Sequence, residues 1–175
     1  LVTSFHTDFP RYAARYLGRW AERPTRALLR WFHGRARQVQ TPSEATRAEL
    51  VQLGIEQTIV WGRGVDSRTF TPERRSEARR SQLLGPARVL VLHVGRLAVE
   101  KDVDTLVAAM SMARGRLGEA AAFCIAGDGP KAEAVRSGLP FARHLGFLDR
   151  LTLADLYSDS DLFVFPSATE TCGLV

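Results

Sequence analysis

The chain has 175 residues, 45% hydrophobic and 25% charged, with a net charge of +5. That length allows one good core or parts of two, and the composition is that of a globular protein rather than a disordered or fibrous one. No run of about 18 uninterrupted apolar residues is present, which argues against a membrane-spanning helix. The charge is uneven: residues 1–80 carry 15 arginines against eight acidic residues, and residues 81–175 carry nine basic against eleven acidic. Such asymmetry suggests two units with different partners.

Taken in order, "LVTSF" (1–5) reads as a strand, followed by helical stretches near 10–20 and 24–36 separated at Pro24. Within the first, Tyr12, Tyr16 and Trp20 recur every four residues beside Arg11, Arg15 and Arg19, placing an aromatic face next to a cationic one. That arrangement suits an anionic membrane surface, although helices more often pack such aromatics into a core. "RQVQT" (37–41) reads as a strand. Thr41-Pro42-Ser43-Glu44 matches a capping box with Pro at the first helical position, and "TIVW" (58–61) as a further strand. The Gly-, Pro- and polar-rich segment 62–76 predicts a linker between domains.

From residue 88 the pattern alternates. "RVLVLHVG" (88–95), "AAFCIAG" (121–127), "RHLGFL" (143–148) and "DLFVF" (161–165) read as strands. Helical spacings at 102–115, 130–138 and 152–160 separate them. Short apolar strands alternating with helices predict a parallel sheet covered on both faces, a doubly wound α/β domain. The last strand reads as buried. The expected division is residues 1–70 as the end of a first domain, 62–76 as linker and 77–175 as the beginning of a second. The start at Leu1, without Met, and the stop in what reads as a first helical turn agree with a fragment. The two cysteines, Cys124 and Cys172, lack metal-like spacing, and a reduced, cytoplasmic protein is expected.

Chemistry concentrates at strand ends. In "HVGRLAVEKD" (93–102), Arg96 and Lys101 follow a strand and precede a helix, where open parallel sheets bind ligands. A rigid fork and a mobile point charge suit a diphosphate, though two solvated loop cations explain the spacing equally well. Gly127 and Gly129 of "AGDGP" let a ligand or the neighbouring helix approach the backbone, but a lone GxG is weak and lacks the full dinucleotide pattern. "HLGFL" (144–148) by itself is only a turn. His6 ends the first strand with Asp8 two residues on, a spacing that could make a catalytic pair, although a lone histidine is usually structural. The closing "FVFPSATETCGLV" delivers Glu170 into a loop of small residues.

In this order, "FHTD", "TPSEAT", "WGRGVDSRTFTPERRS", "HVGRLAVEKDVDTLVAA", "IAGDGP", "HLGFL" and "DLFVFPSATETCGLV" resemble the GT-B-fold glycosyltransferases of family 4 across essentially the whole chain. "SFHTDFPRY", "LRWFHGRA" and "WGRGVD" look most like the bacterial GDP-mannose-dependent α-mannosyltransferases. Sulfoquinovosyl and glucosyl transferases have similar linkers. The resemblance implies two Rossmann-like domains, both incomplete here, and retaining transfer of a hexose to a lipid or glycan hydroxyl. No resident metal or cofactor is implied. Glu170 matches the first glutamate of the family's E-x7-E motif, whose second would fall beyond Val175. By the same carry-over, Arg96 and Lys101 clamp the diphosphate. The backbone near Phe147 and Leu148 faces the base, and His6 contacts the donor sugar. Gly95, Gly127 and Gly129 line the donor site, as do Cys172, Gly173 and Leu174. The 175 residues alone are then expected to be inactive. Two competitors remain open. One is a non-catalytic basic module on nucleic acid or anionic membrane, although no nucleic-acid motif is present. The other is a different GT-B enzyme using a UDP-sugar, such as an epimerase. The expected location is cytoplasmic, with peripheral contact on the inner face of the membrane.

Overall fold

The computed structural model describes residues 1–62, 64–167 and 169–171. The chain forms two compact units, one from Leu1–Gly64 joined by the segment around 169–171, the other from Val65–Ser167. The division falls at Gly64/Val65, within the expected linker. The closing segment departs from the expected 77–175 domain, because its described residues cluster with the first unit.

In the first unit, β1 (Val2–Ser4), β2 (Gln38–Thr41) and β3 (Thr58–Val60) form a parallel sheet in that order. The helices are α1 (Phe9–Leu17), α2 (Glu22–His33) and α3 (Glu44–Gln52). Phe5, Leu29, Val39, Leu50 and Ile55 make the core. Three local expectations need correction. Pro24 lies inside the first turn of α2, where its missing N–H is harmless, not between helices. The cap of α3 is Ser43, whose Oγ accepts from Thr46 N–H at 3.3 Å; Thr41 still belongs to β2 and pairs with Val60. The aromatic series is not one helical face turned to the core: α1 ends at Leu17, and Trp20 sits in the turn Arg19–Ala21, 73% exposed.

The second unit contains α4 (Glu77–Leu84), β4 (Val89–Val94), α5 (Val103–Leu117) and β5 (Ala121–Ala126). It continues with α6 (Ala132–Gly138), β6 (Arg143–Gly146), α7 (Arg150–Asp159) and β7 (Leu162–Phe163). All strand pairs are parallel, in the order β6-β5-β4-β7. Val91, Leu106, Met110, Phe123 and Ile125 fill one face of the sheet, and Leu90, Leu92, Cys124, Ala126 and Leu156 the other. This is the doubly wound architecture predicted by the alternating pattern. The chain winds outward from β4 through β5 to β6, then returns to the other side of β4 with β7. That reversal makes the carboxyl ends of β4 and β7 a topological switch point, where ligands of open α/β sheets bind.

β7 differs from its reading as a buried strand. Leu162 and Phe163 are exposed, because this two-residue strand pairs with β4 on one side only. The helix α4 is wholly additional to the sequence reading, and its inward residue is an arginine. Arg80 is buried and donates to the Asp159 and Arg88 carbonyl oxygens, with Asp161 Oδ2 at 2.7 Å. Asp161 also accepts from Leu90 N–H at 2.8 Å, and Arg75 lies 3.0 Å from its other oxygen. Buried Asp159 accepts from Ser76 N–H and Arg79 Nε at 2.8 and 2.9 Å. Arg74 pairs with Asp155 at 2.7 Å, so four arginines of the basic first 80 residues are consumed inside the second unit.

Candidate functional site

The second unit brings its strand ends together through backbone. Gly95 N–H donates to Ala126 O at 3.0 Å, Leu97 N–H to Asp128 O at 2.9 Å and Gly127 N–H to Gly146 O at 2.7 Å. Three loops following β4, β5 and β6 are thereby stitched edge to edge. The stitching explains two glycines. A Cβ on Gly127 would fall 1.9 Å from Gly95 O, and one on Gly129 would fall 2.4 Å from Leu97 O. Both residues also have positive φ, 132° and 157°. Side chains there would force the loops apart. The sequence suggested a ligand or the neighbouring helix as the close partner; the backbone against these glycines is instead the loop after β4.

Above these loops lies a cavity of about 480 Å³, lined by Gly95, Arg96, Gly127, Asp128, Phe147 and Leu148 together with Val94, Ala126 and Leu153. Residues singled out separately from three strand ends therefore converge on one concave surface. Its floor is apolar, and Phe147 stands at its rim, 87% exposed, as a free aromatic plane. A second cavity, of about 560 Å³, lies among Phe70, Pro72, Arg75 and Tyr157; it is larger, but away from the switch point.

Arg96 is 61% exposed, and its Nη1 lies 3.7 Å from Oε1 of Glu100. Glu100 is fully buried in the single turn Val99–Lys101, so a fixed carboxyl group sits behind a mobile cation. Lys101 ends that turn, with Nζ 5.9 Å from the Phe165 ring centre. Asp102 then takes a left-handed conformation, φ 54°, and α5 begins. Beneath the loop, His93 is buried, and its Nδ1 lies 2.8 Å from Val164 O, a group that only accepts. The proton therefore sits on Nδ1 and the Nε2 lone pair faces the interior. Burial pushes the His93 pKa down, and the charge of Lys101 adds to this against the hydrogen bond that His93 donates to Val164 O. His93 is thus a neutral side chain. Sequence reasoning missed both His93 and Glu100; the signal for each was a polar residue inside an otherwise apolar or turn-forming run.

His6 and Glu170 lie in the first unit. The Thr171 hydroxyl donates to His6 O at 2.7 Å, and Thr171 O accepts from the Ser43 and Thr46 hydroxyls at 2.8 and 3.2 Å. The residue after Glu170 is thereby fastened both to the loop after β1 and to the start of α3. Glu170 is half-buried and His6 exposed. Asp8 does not pair catalytically with His6: its carboxylate caps α1 through Arg11 N–H and lies 3.1 Å from Arg11 Nε. Cys172, Gly173 and Leu174 lie outside the described residues.

Known proteins match both units. A family profile described as "Glycosyl transferases group 1" matches residues 88–175, and one described as "Glycosyltransferase Family 4" matches residues 1–69. A sulfoquinovosyl transferase of Arabidopsis thaliana is 37% identical over 100% of this chain and 35% of its own length. A GDP-mannose-dependent α-mannosyltransferase of Mycobacterium tuberculosis is 34% identical over 99% of this chain and 45% of its own. The chain thus spans less than half the length of these curated relatives. Among solved structures, the sucrose-phosphate synthase of Thermosynechococcus elongatus superposes with a TM-score of 0.75 at 21% identity, over 99% of this chain and 46% of that one. Anabaena HepE, in complex with UDP and glucose, does so with a TM-score of 0.71 at 20% identity, over 98% and 47%. The doubly wound units, their order along the chain and these matches agree: the chain belongs to the group 1 glycosyl transferases and carries part of the GT-B fold.

Proposed function

We propose that the parent protein transfers a hexose from a nucleotide diphosphate sugar to a hydroxyl of a lipid or glycan acceptor, with retention of anomeric configuration. The observation that carries this reading is the cavity at the switch point, with Arg96 in its lining and Lys101 at the end of the turn that follows. The base would lie on the apolar floor against Phe147 and Leu148, and the diphosphate would meet Arg96 and Lys101. As the bond from the anomeric carbon to the phosphate oxygen breaks, the sugar gains oxocarbenium character and the diphosphate gains charge. The two cations stabilise that charge where it develops. The acceptor oxygen bonds to the anomeric carbon, and its proton passes to the departing phosphate oxygen. No protein base is required, and we propose no resident metal or cofactor. His6 and Glu170 would face the sugar. A carboxylate is unfavourable beside a diphosphate, so Glu170 is assigned to sugar hydroxyls and to the positive charge growing on the ring. The proposed location is cytoplasmic, at a membrane surface when the acceptor is a lipid.

Mannose from GDP-mannose is the donor we favour, because three of the similar relatives are GDP-mannose-dependent α-mannosyltransferases, 33–36% identical over 97–99% of this chain. A UDP-sugar is the second reading, favoured by the sulfoquinovosyl transferase match and by the fold shared with a UDP-bound protein. Transfer assays with both donor classes, on a chain extended to the length of its relatives, separate the two. In that chain Glu170→Gln keeps shape and removes charge. Turnover is expected to fall at least about tenfold, or roughly 1.4 kcal/mol of barrier, with an unchanged melting temperature. Normal turnover with a lowered melting temperature would instead make Glu170 a helix-capping acid, an effect of about 0.3–1 kcal/mol.

A further inference from the structure

Among the described residues three acidic side chains are buried. Asp8 caps α1, and Asp159 holds Arg79 and the start of α4. Glu100 has no exposed surface and a different neighbour: its Oε1 lies 3.7 Å from Nη1 of Arg96, the arginine in the lining of the cavity at the switch point. Burying a carboxyl group is unfavourable, and a fold is often no less stable with an apolar side chain in such a position. Glu100 is not among the described residues that line the cavity, so any effect it has there passes through Arg96. The backbone joining the two is fixed at several points. Leu97 N–H donates to Asp128 O, and Leu97 O accepts from Lys131 N–H, both at 2.9 Å. Lys101 N–H donates to Ala98 O at 3.0 Å and closes the turn, while Leu97 and Ala98 are buried. Arg96 therefore stands on a rigid base, but its own side chain is 61% exposed and rich in rotamers.

We propose that Glu100 is a positioning residue for the transfer reaction: it steers the Arg96 guanidinium from behind, so that the remaining donors of the fork meet the diphosphate as its charge develops. The inference rests on the reading of Arg96 as part of the diphosphate clamp. A separation of 3.7 Å is too long for a hydrogen bond, so the contact biases the guanidinium without closing on it. Engagement at Nη1 leaves the Nε and Nη2 donors for a second acceptor, in the planar fork that a phosphate matches. Burial of Glu100 gives this bias its direction, because a side chain enclosed in the turn cannot follow the arginine out into water. The orientation of Arg96 is then set before the donor arrives and need not be found during the reaction. Preorganised donors stabilise developing charge best, and they need support from groups that do not themselves touch the substrate.

The test is a double-mutant cycle in the full-length protein, with GDP-mannose or a UDP-sugar as donor, whichever the transfer assays select. Glu100→Gln is expected to lower kcat about tenfold, within the range of coupling between residues in contact. The donor KM should change by less than about threefold, because the lost alignment matters most where the diphosphate charge is greatest, in the transition state. In an Arg96→Ala background the same substitution should have no further effect, within about twofold. A purely structural role would move the melting temperature and leave no such coupling. If circular dichroism shows Glu100→Gln unfolded, Glu100→Met carries the test: it keeps the length of the side chain, removes both oxygens and should show the same fall in kcat. The proposal is overturned by unchanged kinetics, by a loss confined to KM, or by a lowered melting temperature with normal turnover. It is overturned equally if the tenfold loss persists without Arg96, or if both variants unfold, which would make Glu100 a residue of the fold alone. Normal kinetics in Arg96→Ala itself would overturn the clamp reading and this inference with it. A large loss in Arg96→Ala on which Glu100→Gln acts additively would overturn the inference and leave the clamp standing.

Discussion

Replacing Arg96 or Lys101 with alanine is expected to lower kcat/KM of the full-length protein by about two to four orders of magnitude, the range seen when a group aimed at developing charge is removed. Arg96 follows β4 and Lys101 ends the turn Val99–Lys101, so the two side chains start from different places and neither can replace the other. Arg96 is mostly exposed, and among the described residues its ion pair is the long contact with buried Glu100; little of the fold depends on it. The variants should therefore keep the parent's melting temperature, which separates lost catalysis from lost structure. Arg96→Lys should recover only part of the activity, because an ammonium lacks the two-pronged donor geometry that a diphosphate matches. Unchanged kinetics in either alanine variant would reduce both residues to solvated loop cations.

The largest expected loss of stability lies elsewhere, at Asp161. Arg80 is buried under α4, and its nearest anion is Asp161 Oδ2 at 2.7 Å. Glu77, 3.9 Å away and largely exposed, cannot take its place. Asp161→Ala would strand a guanidinium in the interior and orphan the Leu90 N–H, at an expected cost of about 3–5 kcal/mol in denaturant unfolding. Arg80→Met removes the cation and keeps the packing of its stem. It should be clearly milder, because Asp161 retains Arg75, Leu90 N–H and contact with water. If both variants lose equally, the loss comes from packing rather than from a stranded charge.

Acid should act on the same residue. Burial raises the Asp161 pKa, but the Leu90 N–H, Arg80 and Arg75 outweigh it and hold the carboxyl below its ordinary value. Asp66 and Asp149 are also held low, each chiefly by a threonine hydroxyl, that of Thr69 and of Thr152. A carboxylate lowered in the folded state stabilises the protein above its unfolded pKa, near 3.9, and that contribution fades as pH falls through the folded value. The second unit should thus hold its stability down to about pH 4 and lose it below.

The parallel sheet of the second unit was legible because β4 and β5 are covered on both faces and must be apolar throughout. The convergence of Arg96, Gly127 and Phe147 was legible too, since each directly follows a strand and a parallel sheet gathers such ends on one edge. The helix α4 was hidden because its inward position is Arg80, whose partner lies 81 residues further along; local periodicity carries no trace of such a pair. β7 was misread because "LFVF" declares a need for cover, not whether neighbours supply it. The cap of α3 was misplaced by two residues because Thr41 and Ser43 have the same capping chemistry, and only the ladder to β3 shows that Thr41 is still in the sheet. Asp8 reads like a catalytic partner for His6 until the cap and Arg11 claim its oxygens.

Cys124, at the centre of β5, is fully buried, and its thiol is pushed up to about 11 by burial, despite the opposing charge of Arg143. At neutral pH only about one such thiol in ten thousand is ionised, and no reagent can reach even that one while β5 lies between β4 and β6. Its chemistry is therefore tied to time rather than to place. In a chain with Cys172 replaced by serine, each alkylation of Cys124 would record one moment at which the central strands had parted. The rate of labelling would then be a clock for the opening of the sheet.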